Sequence, residues 1–151
     1  MSERIWKPNV TVAALIEDRG RFLLVEEHTS DGLMLNQPAG HLEEGESLVE
    51  ACAREAMEET AHPFTPRELV GIYQWRRPDG EVTYLRFAFA GDAGEAIAGR
   101  ALDEGIVRAV WMTPDEIEAS RQRHRSPLVW ACVQDWQAGI RLPLSALRHF
   151  G

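Results

Sequence analysis

Short apolar runs alternate with polar turns through the first third of the chain, a pattern typical of β-strands. Val10 to Glu17 is apolar and β-branched, and Asp18-Arg19-Gly20 separates it from a second apolar run, Phe22 to Glu26. β-Branched and aromatic residues suit a pleated strand, and Gly suits a tight turn. The two runs are predicted to form a hairpin, followed by a polar turn at His28 to Gly32.

The remaining strands are predicted from the same pattern. Leu69 to Trp75 and Glu81 to Ala90 flank Arg77-Pro78-Asp79-Gly80, a strong turn signal. Asp92 to Asp103 contains Gly and Ala without clear periodicity and is predicted to be a loop. Ile106 to Met112 is predicted to be a further strand.

Helices are predicted at three places. Ser47 to Thr60 has helical periodicity, and Thr113-Pro114-Asp115-Glu116 places Thr at the N-cap, Pro at N1 and Glu at N3. Ser126-Pro127 repeats this device before a helix that should run to about Ala138. Strands of mixed connection with interspersed helices predict an α/β fold, an α/β/α sandwich with a mixed β-sheet.

Composition adds limits on class and location. The 151 residues, 44% hydrophobic and 26% charged, suit one globular domain with a sizeable core. No apolar run is long enough to span a membrane, and Met1 to Trp6 lacks the apolar stretch of a signal peptide. Cys52 and Cys132 lie in apolar helical contexts and are predicted to be buried free thiols. We expect a cytoplasmic protein without a membrane partner.

The net charge of −8 argues against binding to duplex nucleic acid. It leaves room for a phosphate substrate, because a bound metal ion can reverse the local field.

Carboxylates are unusually dense on one face of the Ser47 to Thr60 helix. At about 100° per residue, Glu55, Glu58 and Glu59 fall within about a third of the helical circle. The opposite side is small and apolar, and it is predicted to dock on the core while the acidic face points outward; its members are Val49, Ala53, Ala56, Met57 and Thr60.

A solvated acidic helix face is the ordinary interpretation of such a cluster. A solvated helix usually intersperses Lys among its Glu residues, whereas the only cation here is Arg54. The carboxylates therefore favour a site for a divalent metal such as Mg²⁺, which prefers oxygen ligands and commonly works on phosphates.

The spacing Gly-x5-Glu-x7-Arg-Glu-x-x-Glu-Glu resembles the Nudix box, and six residues occupy its fixed positions: Gly40, Glu46, Arg54, Glu55, Glu58 and Glu59. Two further phrases, Asn36 to Glu43 and Arg125 to Val129, resemble the NudJ-like phosphatase subgroup of that family. The resemblance implies a Nudix hydrolase domain over residues 7–135, with its box at 40–61, and a C-terminal extension, 136–151, packed on the same domain.

The box departs from the family at its end, where Ala61-His62 replaces Gly and an aliphatic residue. Gly suits a left-handed helix end, where Ala is strained by roughly 1 kcal/mol. Pro63 blocks further helix and pushes His62 toward extended geometry.

The resemblance implies the metal and catalytic residues. Glu55, Glu58 and Glu59 would bind Mg²⁺, or Mn²⁺ as an alternative ion, together with the carbonyl of Ala39, which the backbone freedom of Gly40 would aim inward. Metal-activated water would attack phosphorus, and a carboxylate must accept its proton. Glu55 is the first candidate for this base and Glu58 the second, with Arg54 beside them.

Other acidic residues remain open for related roles. Asp103 and Glu104 are candidates for a base outside the box, although an ordinary acidic loop is an equally good interpretation. Glu43 and Glu44 are candidates for binding additional metal ions. His41 is a candidate for touching phosphate, but a loop histidine is more often solvated.

Bracing of the box loop is predicted for Glu46 and Arg54 as an ion pair, with Gly40 supplying the turn. Taken alone, such a pair is a surface contact worth under about 1 kcal/mol. Its position in the box favours the bracing role.

Substrate contacts are predicted near the turn at residues 77–80. A guanidinium of Arg76 or Arg77 would suit a terminal phosphate, and Trp75 would stack on a base. A solvated turn with Trp75 in the core is an equal alternative. Arg86 lies within an apolar strand and points either to water or into the substrate cleft.

These observations predict a Mg²⁺-dependent hydrolase of phosphoanhydride bonds that releases phosphate. The subgroup resemblance implies nucleoside tri- and diphosphates, or the thiamine-precursor pyrimidine pyrophosphate, as small-molecule substrates. A catalytically weak nucleotide-binding sensor is the alternative, and a purely structural acidic domain is a third. The oligomeric state, monomer or dimer, stays open.

Overall fold

The structure, a computed structural model, describes residues 3–151, so Met1 and Ser2 of the segment inspected for a signal peptide lie outside it. The strands are β1 Asn9–Leu15, β2 Glu17–Asp18, β3 Arg21–Thr29, β4 Gly32–Asn36, β5 Ala39–His41, β6 Phe64–Arg76, β7 Thr83–Ala93, β8 Ile106–Met112 and β9 Leu142–Pro143. The helices are α1 Leu48–Thr60, α2 Pro114–Ala119 and α3 Leu128–Gln137. Within the described residues, none of these helices has the length and apolar character needed to cross a membrane.

The main sheet is mixed and lies between two helices. Its strand order is β5-β1-β7-β6-β9, with β1 parallel to β7 and the other neighbours antiparallel. Alternate residues of β1 serve the two faces: Val12 packs in one core cluster with α1, and Ala13 in the other with α3. Because both faces are covered, β1 is apolar along most of its length. The predicted α/β class with a mixed sheet between helices is confirmed.

A second, antiparallel sheet holds the other strands, and it corrects the predicted hairpin. Its strands are β2, β3 and β4, with β8 paired to the free side of β3. The predicted Val10 to Glu17 strand divides at Ile16: β1 pairs with β5 and β7, and only Glu17 and Asp18 continue to β3. Burial drives this division, because in the main sheet β1 is covered by helices on both faces.

Three further strands have no counterpart among the predictions: β4, β5 and β9. The predicted polar turn shortens to Ser30 and Asp31, because β3 runs to Thr29 and β4 begins at Gly32. The C-terminal residues predicted as an extension include β9, which pairs with β6.

The predicted cap of α2 agrees with the structure, and the one before α3 differs by one residue. Ser47 caps α1, and Thr113 caps α2 with a capping box in which its hydroxyl accepts from the Glu116 N–H. The N-cap of α3 is Pro127 rather than Ser126, and the Ser126 hydroxyl accepts from the Leu128 N–H at 3.1 Å. Ala61 ends α1 with φ 61°, in the left-handed region where the sequence predicted strain.

The orientation of α1 differs from the helical-wheel prediction. Val49, Ala53 and Met57 are only partly buried. Glu55 is 9% exposed, so the acidic face does not point simply outward. The helix leans its acidic side against β5, and the residues buried beneath it are Ala51, Cys52, Glu55, Ala56 and Thr60. Cys52 and Cys132 are buried free thiols, as predicted.

Candidate active site

A cleft of about 1080 Å³ opens on the α3 side of the main sheet. Carboxylates of α1 and backbone of β5 form one end, and the hairpin of β6 and β7 forms another part of the wall. The segment before α3 closes the remaining side. Residues from these three regions line it, among them Glu55, Glu59, Trp75, Tyr84, Arg86 and Ser126.

Three carboxylates converge beside the α1 end of the cleft; Glu55 lines the cleft, whereas Glu58 and Asp103 are not among its lining residues. Oxygens of Glu55, Glu58 and Asp103 all lie within 4.8 Å of one another. The Asp103 N–H donates to the Glu58 carbonyl at 2.9 Å, which holds the loop before β8 against the end of α1. Burial raises the pKa of Glu55, opposed by its hydrogen bond from Arg54. Such a cluster of oxygen donors is suited to a hard divalent cation.

Glu59 lies beside this group but makes a different contact. Its Oε1 accepts from the Ala39 N–H at 2.9 Å. Burial raises the pKa of Glu59 to about 8, more than the Ala39 N–H lowers it. The geometry thus joins Asp103 to Glu55 and Glu58, while Glu59 anchors β5. Metal binding by Glu59 and the Ala39 carbonyl stays a prediction.

Gly40 lies in β5, and its φ is outside the left-handed region, so it does not supply a turn. A Cβ at this position would stand 2.1 Å from the carboxyl carbon of Glu55. No side-chain carbon fits between the two. Gly40 is therefore required for close approach of the glutamate rather than for backbone freedom.

Arg54 connects the box loop to the carboxylates. Its Nε and Nη2 donate to the two oxygens of Glu46 at 3.0 and 2.8 Å, a bidentate pair. Nη1 donates to Glu55 at 2.8 Å and to Glu58 at 3.1 Å. The hydrogen bonds from Arg54 hold the pKa of Glu46 below its usual range. These contacts join the box loop to the acidic face of α1 and place a positive charge among its carboxylates, and the bracing role stays a prediction.

An aromatic pair lines the cleft on the β6 and β7 strands. Trp75 and Tyr84 are cross-strand partners, and their rings stack with centroids 6.0 Å apart and planes 14° apart. Arg77 also lines the cleft and pairs with Asp79 at 3.0 Å. Arg76 is exposed and is not among the lining residues.

Arg86 points into the cleft and is 6% exposed. Its Nη1 donates to Gln37 Oε1 and its Nη2 to Asn36 Oδ1, both at 2.9 Å. The sequence interpretation left Arg86 open between solvent and cleft and assigned no role to either amide. The position of Asn36 and Gln37 just before the box was the one signal in the sequence for a role in the site.

The remaining candidates divide by position. His41 and Glu43 line the cleft, whereas Glu44 and Glu104 are exposed and do not. Only Asp103 of the predicted external pair joins the carboxylate cluster. Tyr84 and Trp130 line the cleft without having been predicted, since single aromatic residues carry no local motif.

Comparisons with known proteins agree with this geometry. The NUDIX domain family matches residues 6–131. Phosphatase NudJ of Escherichia coli (strain K12) is 40% identical over 147 residues, which cover 97% of this chain and 94% of that protein. A NUDIX hydrolase structure from Nitrosomonas europaea has a TM-score of 0.93 at 52% identity, covering 95% of this chain and 98% of its own. The E. coli ORF135 protein has a TM-score of 0.69 at 26% identity, covering 96% of each chain.

Proposed function

The chain belongs to the Nudix family and is a Nudix hydrolase, and from that premise we propose that it is a Mg²⁺-dependent phosphatase acting on nucleoside di- and triphosphates or a related pyrophosphate. The relative from E. coli is named a phosphatase, which supports release of phosphate. The observation that carries the proposal is the convergence of Glu55, Glu58 and Asp103 oxygens within 4.8 Å, with Glu55 lining the cleft.

The residues present fit a hard divalent cation. Carboxylate oxygens are the ligands that Mg²⁺ and Mn²⁺ prefer. The cluster of Glu55, Glu58 and Asp103 consists of carboxylates alone, without a cysteine or histidine ligand. Glu55, Glu58 and Asp103 would hold the ion, with Glu59 and the Ala39 carbonyl adjacent. When bound, a divalent ion lowers the pKa of its water and offsets charge on the phosphoryl group.

The protein's own groups would orient the attack and accept the proton. We propose Glu55 as the first candidate for the base, since it is buried, lines the cleft and is fixed by Arg54 at 2.8 Å. Glu58 is the second candidate. Arg54 acts through both carboxylates as a positioning residue.

Trp75 and Tyr84 would hold the organic ring of the substrate, because their stacked pair presents an apolar surface in the cleft. Arg77 would approach the phosphate chain from the same hairpin. The cleft size favours a small molecule, and the charge of −8 opposes duplex nucleic acid. The buried free thiols are consistent with the expected cytoplasmic location.

The test is turnover of a substrate panel with purified protein and Mg²⁺. Nucleoside di- and triphosphates and the thiamine-precursor pyrophosphate are incubated separately, and orthophosphate and pyrophosphate are measured. We expect orthophosphate release that falls at least about 100-fold in Glu58→Gln. Glu118→Gln, an exposed carboxylate on α2, is the matched control and should retain activity.

No product from any substrate, or release insensitive to Glu58→Gln, would overturn the proposal. Titration calorimetry with Mg²⁺ and nucleotide distinguishes the hydrolase from the alternative of a nucleotide-binding sensor. Binding without turnover is the result expected of a sensor.

A further inference from the structure

Arg86 differs from Arg54 and Arg125 in the charge of the side chains to which it donates. Arg54 pairs with Glu46, and Arg125 with Glu27 at 2.9 Å. Arg86 is more buried than these, yet the hydrogen bonds of its guanidinium go to two neutral amide oxygens. Among residues 3–151, no carboxylate forms an ion pair with it.

An uncompensated buried cation is costly. Amide oxygens satisfy N–H groups, but they do not return the solvation that a full charge loses on burial. An anion in the cleft would offset that penalty. The arrangement is therefore suited to a ligand that supplies the missing negative charge.

The two amides are themselves fixed. Gln37 is 1% exposed, and its Nε2 donates to the Val129 carbonyl at 2.8 Å. A carbonyl acceptor requires the NH₂ group on that side, so the amide oxygen must face Arg86. Asn36 holds the other terminal nitrogen. A guanidinium has five N–H donors, and the two amides together with the neighbouring Cys132 thiol do not use all of them.

The sheet register places Arg86 between the two ends of the site. Thr11 of β1 pairs with Arg86 of β7 on one side and with His41 of β5 on the other, so the three lie in one row. Two strand spacings, about 10 Å, separate the backbones of β7 and β5. Tyr84 lies two residues from Arg86 and shares its face of the sheet.

We propose that Arg86, held by Asn36 and Gln37, forms an oxyanion subsite. It would bind the phosphoryl group of the substrate that lies away from the metal-binding carboxylate cluster. Asn36 and Gln37 are positioning residues that keep the guanidinium in place without neutralising it. The subsite's part in turnover rests on the proposed hydrolase function, whereas its anion affinity is a separate property.

The first test is calorimetric titration of inorganic pyrophosphate in EDTA. Asn36→Asp places a carboxylate where the amide oxygen lies 2.9 Å from Arg86, and it should weaken pyrophosphate binding at least about tenfold. Arg86→Gln should abolish the binding. Gln74→Glu makes the same charge change at an exposed position on the same sheet and should bind as the wild type does.

The melting temperature of the same variant shows whether the substitution disturbs folding. Asn36→Asp is isosteric and pairs the buried cation, so its melting temperature should equal or exceed that of the wild type. In turnover with Mg²⁺, KM should rise at least about tenfold while kcat stays within about threefold. A merely structural role for Asn36 would lower the melting temperature and leave KM unchanged.

The outcomes separate this subsite from the hydrolase proposal. Pyrophosphate binding that requires Arg86, without hydrolysis of any substrate, supports the subsite and overturns the hydrolase. Hydrolysis with equal KM in Asn36→Asp and Gln74→Glu overturns the subsite and leaves the hydrolase intact. Wild-type protein that does not bind pyrophosphate in EDTA also overturns the subsite.

Discussion

The carboxyl group of Glu55 occupies the space that a side chain on Gly40 would need, with the carboxyl carbon 2.1 Å from the ideal Cβ position. In Gly40→Ala the glutamate must swing away, because its carboxylate is the flexible end of the pair. We expect kcat/KM to fall at least about 100-fold, since displacement of a catalytic group by about 1 Å has that effect. The free energy of unfolding should change by no more than about 1 kcal/mol.

The matched control is Gly20→Ala in the turn before β3. Gly20 has φ +81° and nothing within 4 Å of its ideal Cβ, so Ala there is strained but meets no neighbour. That variant should lose about 1 kcal/mol of stability and keep its activity. Kinetic assays and denaturant unfolding of both variants give the comparison. Normal activity in Gly40→Ala would contradict the steric argument.

The Arg54–Glu46 pair should contribute measurably to stability. Glu46 is 15% exposed and accepts two hydrogen bonds from Arg54, whereas Glu43 is 65% exposed and pairs at 3.6 Å. At pH 7, Glu46→Gln should lower the free energy of unfolding by about 1–2 kcal/mol, and Glu43→Gln by less than about 0.5 kcal/mol. Urea unfolding checks both.

The same pair predicts an acid dependence. The folded-state pKa of Glu46 lies below its usual value of 4.5, so its stabilisation is present above that pH. It should disappear as the pH falls through the folded-state pKa. Unfolding curves of the wild type and Glu46→Gln should therefore converge in acid. A difference that does not shrink as the pH falls below 4.5 would contradict the assignment.

Asp103 should behave as a metal ligand, and its neighbour Glu104 should not. Asp103 shares the cluster with Glu55 and Glu58, while Glu104 does not belong to it. In Asp103→Asn, the Mg²⁺ concentration for half-maximal activity should rise at least about tenfold, with activity largely restored at saturation. Glu104→Gln should match the wild type. If Asp103 is instead the base, maximal activity stays low at every Mg²⁺ concentration.

Local signals made α1 and the cap of α2 predictable. The periodicity from Ser47 to Thr60 predicted the first helix, and Thr113 with Glu116 predicted the capping box of α2. Such signals act over a few residues, and their physics does not depend on the rest of the fold. The partners of β1 were not predictable in this way, since an apolar run indicates burial but not which strand will lie beside it.

In the candidate site, too, contacts set by local spacing were predictable and contacts set by long-range pairing were not. Glu55 and Glu58 share a helix face by spacing alone, so the sequence predicted their proximity. Asp103 reaches them only because its loop docks on the end of α1 through the Glu58 carbonyl. Arg86 and Gln37 meet across 49 positions of sequence, through the register of the main sheet. Long-range pairing of this kind leaves no periodic trace in the chain.

Glu59 should make the stability of the metal-free protein fall as the pH rises. Its folded-state pKa is about 8 and its ordinary value 4.5, because burial disfavours the charged form. Between these values the folded state binds more protons than the unfolded chain, so the free energy of unfolding decreases with pH. Burial raises the pKa of Glu55 too, which adds a change of the same sign.

Thermal unfolding in EDTA from pH 5 to pH 8 measures this decline. Glu59→Gln should remove most of it, since the amide stays neutral and its oxygen can still accept from the Ala39 N–H. Mg²⁺ should raise the melting temperature more at pH 8 than at pH 5, because a bound cation favours ionised carboxylates. An unchanged slope in Glu59→Gln would show that the burial of this carboxyl does not govern the pH dependence.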